Sequence, residues 1–115
     1  MFAFNSQTAI FIVHEAIDFR NGIEGLAGLC RRTLMKDPLS GAVFVFRNKS
    51  STSLKLLVWD GQGLWCMHKR LHSGKFKSWP KDSAALSSLK AHELMVLIFN
   101  GNPFLAEFEP VPLTF

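Results

Sequence analysis

Three apolar runs separated by polar stretches lie between Gly41 and Leu71, and the pattern predicts three strands. They are Ala42–Phe46, Leu54–Trp59 and Leu64–Leu71, each rich in β-branched and aromatic residues. Asp60-Gly-Gln-Gly63 separates the second from the third, and its glycines tolerate the backbone of a tight hairpin. Arg47–Ser53 is polar throughout and reads as a solvent loop. Pairing Trp59 with Leu64 puts Leu54, Leu56 and Val58 on one face with Trp65, Met67 and Leu71. The opposite face then carries Lys55, Leu57 and Trp59 with Leu64, Cys66, His68 and Arg70. Neither face is cleanly polar. One is expected to bury against a helix, and the other, half apolar and half basic, needs something to touch.

Ala9–Val13 reads as a fourth strand added to this meander. A helix follows over Ile23 to about Met35, with Ile23, Leu26, Ala27, Cys30 and Leu34 on one face. Asp18 or Asn21 can cap it, and Asp37-Pro38 stops it. Gly25 and Gly28 lie inside this helix, where a close approach to another backbone would explain them. Asp82-Ser-Ala-Ala-Leu86 can start a short helix. Beyond it, a helix over Ser87–Phe99 and a strand over Leu94–Phe99 both fit. Pro103, Pro110 and Pro112 argue against a central strand near the end, so residues 104–115 read as an extended tail. The expected fold is α+β in a single domain, 1–115. It is a small antiparallel sheet, the 41–71 meander plus the N-terminal strand, packed on one main helix with a shorter C-terminal helix or strand.

Charge changes this picture because it is unevenly placed. The chain carries a formal +4. Residues 41–81 hold eight basic side chains against one acid, whereas residues 82–115 hold one against four. The positive charge therefore belongs to the meander and to residues 72–81, a basic-aromatic arm in which Lys75, Lys77 and Lys81 interleave with Phe76 and Trp79. Such an arm either contacts nucleic acid, lysines on phosphates and rings on bases, or covers the sheet. Arg20, Arg47 and Lys49 offer further phosphate contacts.

Candidate chemistry is sparse. The chain has no phosphate-binding glycine loop, no His-Glu-x-x-His and no Gly-x-Ser-x-Gly. The four histidines show no metal spacing, nothing in the sequence brings Asp18, Glu24 and Asp60 together, and His68 and His72 read as surface or hydrogen-bonded residues. Cys30 and Cys66 read as buried free thiols. No cofactor is expected. No apolar run reaches membrane-spanning length, which with the absence of a secretory signal predicts a cytoplasmic protein without a membrane partner.

Taken in order, Asp18-Phe-Arg-Asn-Gly-Ile-Glu-Gly-Leu26, Asp37-Pro-Leu-Ser-Gly-Ala-Val-Phe-Val-Phe-Arg-Asn48 and Leu54-Lys-Leu-Leu-Val-Trp-Asp-Gly61 form a recognisable series. Gly63-Leu-Trp65, Lys69-Arg-Leu71, Gly74-Lys-Phe76 and Trp79-Pro80 close it. The chain resembles the IS66-type insertion-sequence accessory proteins, the Orf2-like family encoded by the small second reading frame of these elements. The resemblance runs from about Ile10 to Pro80, with a weaker echo at Leu94–Phe104. It implies a non-enzymatic protein that assists a separate, larger transposase.

The expected function is therefore a non-catalytic accessory protein of DNA transposition, contacting element DNA, the transposase, or both. The expected nucleic-acid contacts are Arg20, Arg47, Lys49, Lys55, Lys69, Arg70, Lys75 and Lys77. The alternative is a protein-interaction module without DNA contact. It would use Trp59, Trp65, Phe76 and Trp79 as a partner or stacking surface, and the two apolar sheet faces would make it a homodimer.

Overall fold

The computed structural model describes residues 7–81 and 83–104. The elements are β1 (Ile10–Val13), α1 (Ile23–Arg32), β2 (Val43–Arg47), β3 (Ser53–Trp59), β4 (Leu64–Arg70), β5 (Leu86–Leu89) and α2 (Ala91–Ile98). The five strands form one sheet in the order β4-β3-β2-β1-β5. β2, β3 and β4 are antiparallel neighbours, and Trp59 lies opposite Leu64 as the turn residues require.

The expected antiparallel four-stranded sheet is corrected in three respects. β1 lies parallel to β2, with Ile10 opposite Val43. The connection between them contains α1, and a crossover of that kind brings the second strand back in the same direction as the first. Secondly, Leu86–Leu89 is a fifth strand, antiparallel to β1, in place of a short helix starting near Asp82. Thirdly, the C-terminal apolar run forms a helix and no strand, so a second helix joins the one main helix in covering the sheet. α2 starts at Ala91, where the Lys90 N–H donates to Glu93 Oε1 at 2.7 Å and a carboxylate thereby satisfies an orphan donor. Asp82, residues 1–6 and the tail expected over 104–115, from 105 onward, lie outside the described residues.

The two helices belong to different faces. Leu26, Ala27, Cys30 and Leu34 pack with Val13, Phe44, Phe46 and Leu57. Ile10, Ile12, Val43, Val45, Leu54, Leu56 and Val58 pack on the other side against Leu94 and Leu97 of α2 and against Phe76 and Trp79. The strict two-residue alternation of strands produces this division. Both apolar faces are thus covered within one chain.

Local details of α1 also depart from expectation. Its N-cap is Gly22, without a side-chain cap. Asp18 bonds Arg20 instead, and Asn21 Nδ2 donates to the Asp18 carbonyl. The helix ends at Arg32, before Met35 enters the left-handed region at φ 55° and the Lys36 N–H reaches back to the Cys30 carbonyl. A methyl at Gly25 would meet the Asn21 side chain at 2.6 Å, and one at Gly28 the Arg32 guanidinium at 2.7 Å. Side chains of the same helical region, and no second backbone, crowd these glycines.

Candidate nucleic-acid interface

The carboxyl ends of β1 and β2 and the amino end of β3 lie together at one end of the sheet. Ile17 bridges to Asn48, and its N–H donates to the Arg47 carbonyl. This holds the loop 14–22 against the β2–β3 turn. The turn is built by Asn48, whose Oδ1 accepts from the N–H groups of Thr52 and Ser53. Leu71 and Phe76 donate their N–H groups to the carbonyls of Thr52 and Ser51, so the arm starts at the same end. Three connections distant in sequence meet there.

Arg20, Lys49, Arg70 and Lys75 are exposed at this end. Arg70 lies opposite Ser53, the first residue of β3. Arg20 projects into solvent, 91% exposed, and holds Asp18 in a salt bridge. The Asp18 carboxyl is held down to about 2, first by the Arg20 side-chain hydrogen bond, then by the Arg20 backbone N–H, with Lys49 adding its charge. Asp18 thereby orients Arg20 while neutralising part of its charge. Lys77 is exposed too, its N–H donating to Asn100 Oδ1 while Asn100 Nδ2 donates to the Lys75 carbonyl.

Other expected contacts have structural partners. Lys55 is 8% exposed, and its Nζ donates to the carbonyls of Phe19 and Asn21, both at 3.0 Å, with Phe19's ring 4.8 Å away. It ties the loop before α1 to the sheet. Lys69 Nζ donates to the Ile98 carbonyl at 2.6 Å and lies 4.9 Å from the centre of the Phe99 ring. A cation at the end of α2 also meets the negative pole of the helix. Arg47 is half-buried. Its Nη1 donates to Ser51 Oγ, its Nη2 to the His14 carbonyl, and its guanidinium lies 5.7 Å from the centre of the Trp79 ring.

Of the four aromatic candidates, Phe76 and Trp79 are buried under the sheet, and Trp79 Nε1 donates to the Val13 carbonyl. Lysines and rings alternate along the arm because the rings point inward and the lysines outward. Trp59 is half-buried. Trp65 is 48% exposed and donates its indole N–H to Asp60 Oδ2; the Gly63 N–H first, then this indole and the Gln62 N–H, hold the Asp60 carboxyl below its ordinary value. A cleft beside Arg47, lined also by residues of α1 and by Lys81, had no signal in the sequence, because only the parallel β1–β2 pairing assembles it.

Cys30 is buried and Cys66 half-buried, and both thiols are free. Burial pushes Cys30 up to about 11 and raises Cys66. Among the described residues no group of three His, Cys, Asp or Glu side chains is placed to hold a metal, and no helix is long and apolar enough to cross a membrane.

The fold and this surface define a small mixed-sheet protein with a basic sheet end and no assembled carboxylate centre among the described residues. Residues 8–103 match the family "IS66 Orf2 like protein", and the chain belongs to that family. It is 40% identical over 88 residues to the uncharacterized protein y4jC of Sinorhizobium fredii, covering 76% of this chain and 75% of the relative. It is 34% identical over 89 residues to the uncharacterized protein y4hO of the same organism, covering 77% and 76%. No solved structure matches it.

Proposed function

We propose that the protein is a non-catalytic accessory factor of IS66-type transposition that grips DNA phosphates with the basic end of its sheet. The carrying observation is that Arg20, Lys49, Arg70 and Lys75, spread over some fifty residues of chain, are exposed where three connections meet. Only Arg20 among them has a salt bridge to a described residue. Exposed cations on ordered loops and at a strand end suit phosphate contacts, which position a protein on DNA without reading sequence. Family membership supports the transposition setting.

Fluorescence anisotropy with duplex DNA over a salt series tests this reading. Four phosphate contacts give a slope of log affinity against log salt of roughly −3.6. Each of Arg20→Ala, Lys49→Ala, Arg70→Ala and Lys75→Ala is expected to reduce that slope by about 1. Affinity independent of salt, or binding that occurs only with the transposase present, transfers the function to a protein interface. That second reading has less support, since Phe76 and Trp79 lie in the core and both sheet faces are covered.

A further inference from the structure

Arg47 is anomalous. Its guanidinium is half-buried, its Nε is shielded from solvent with no hydrogen-bond partner, and no carboxylate among the described residues forms a salt bridge with it. Removing a cation from water without a counter-charge is costly, so a guanidinium on the wall of a cleft with no carboxylate partner among the described residues suits an anion. The position is also built. Ser51, the His14 carbonyl and the Trp79 ring fix the plane of the fork, and each Nη retains a second N–H for a ligand.

The cleft has a volume of about 510 Å³. That lies within the range of small-ligand sites, roughly 300–1,000 Å³. Val13, Ile17, Leu29 and Leu34 supply apolar walls, and Lys81 brings a second cation to the lining. Glu15 also lines it, but is exposed and makes no salt bridge with Arg47. A phosphate in the middle of a duplex needs no apolar recess. An unpaired nucleotide does, because its base leaves the stack and must be covered.

We infer that this cleft receives one unpaired nucleotide of DNA, its phosphate on Arg47 and Lys81 and its base against the apolar walls. The inference rests on the DNA-contact reading above and adds a second, recessed site to it. The site binds and holds; it performs no covalent step.

The test is an NMR titration of the labelled full chain with deoxyadenosine monophosphate, and separately with deoxyadenosine, inorganic phosphate and N-acetyl aspartate amide. The monophosphate is expected to shift the Arg47 side-chain signals and the Val13 and Leu29 amides, and to bind at least about tenfold tighter than deoxyadenosine or phosphate. Arg47→Gln is expected to weaken it about tenfold or more, as loss of charge-assisted hydrogen bonds does. Thr33→Trp fills the cleft from its exposed rim with Arg47 in place, so it carries the test if Arg47→Gln does not fold; it is expected to abolish nucleotide binding and retain duplex binding. Shifts outside the cleft, equal binding by the aspartate, or unchanged binding by Thr33→Trp overturn the inference. A chain that binds duplex but not the nucleotide overturns the cleft alone. One that binds the nucleotide there but no duplex overturns the sheet-end surface alone.

Discussion

Lys55 and Lys49 are six residues apart in the same basic stretch, yet the structure gives them opposite roles. Lys55→Met is expected to destabilise the fold without altering DNA affinity per phosphate, and Lys49→Ala to do the reverse. Methionine keeps most of the Lys55 stem and removes the ammonium. The carbonyls of Phe19 and Asn21 then lose their donor, at about 1–3 kcal/mol for each that stays dry. Relief of the desolvated ammonium, also a few kcal/mol, offsets part of this, and a net loss of about 2 kcal/mol remains. Lys55→Ala removes three further methylene groups at about 0.8 kcal/mol each, bringing the loss to about 4 kcal/mol. With a urea dependence of about 2 kcal/mol per molar, the midpoint falls by roughly 1 M for methionine and 2 M for alanine. Lys49 is exposed, so its replacement stays within about 0.5 kcal/mol but flattens the salt dependence of DNA binding by about 1. An unchanged urea midpoint for Lys55→Met, or a flattened salt slope for it, refutes the assignment of Lys55 as the clamp of the loop before α1.

Three further outcomes follow from particular contacts. Lys69→Met is expected to cost about 1 kcal/mol and to speed hydrogen exchange in the last turn of α2, whose Ile98 carbonyl loses its donor; unchanged exchange at Phe99 and Asn100 contradicts this. The Asp18 carboxyl is depressed by Arg20, so the stabilisation from this pair is complete above its ordinary value near 4 and disappears as pH falls through about 2. Carboxyl NMR should show that low midpoint and its return towards 3.8 in Arg20→Ala. Cys30, with its thiol pushed to about 11 and its side chain buried, should resist a thiol reagent at pH 8 until urea unfolds the chain; rapid labelling of native protein contradicts that packing.

The hairpin register is legible in the sequence because Asp60–Gly63 is a turn between two apolar runs, which leaves little freedom in pairing Trp59 with Leu64. The sense of β1 is not. An apolar run such as Ala9–Val13 reads alike in a parallel and an antiparallel neighbour, and only the packing of α1 selects between them. Nor is β5 legible, since Leu86-Ser-Ser-Leu89 has little strand propensity and exists by pairing with β1. In the candidate surface, residue type identifies the cations but not their surroundings. Lys55 and Lys49 look equivalent in sequence, and only the path of the 14–22 loop puts two carbonyls over one of them.

That path also explains why the basic end exists at all. The crossover through α1 makes β1 and β2 parallel, so the loop leaving β1 and the turn leaving β2 emerge at the same end. The antiparallel return through β3 and β4 then brings the beginning of the arm to that end as well. In the antiparallel sheet expected from the sequence, β1 would point the other way and carry Arg20 to the opposite end from Lys49 and Arg70. The proposed surface therefore depends on the one strand sense that the apolar pattern does not encode. A disulfide joining cysteines placed at Ile17 and Asn48, bridge partners in the parallel arrangement, should form in a variant with Cys30 and Cys66 replaced by serine, at some cost in stability from the turn hydrogen bonds that Asn48 makes. Failure of that disulfide to form in a folded variant would remove the convergence on which the surface rests.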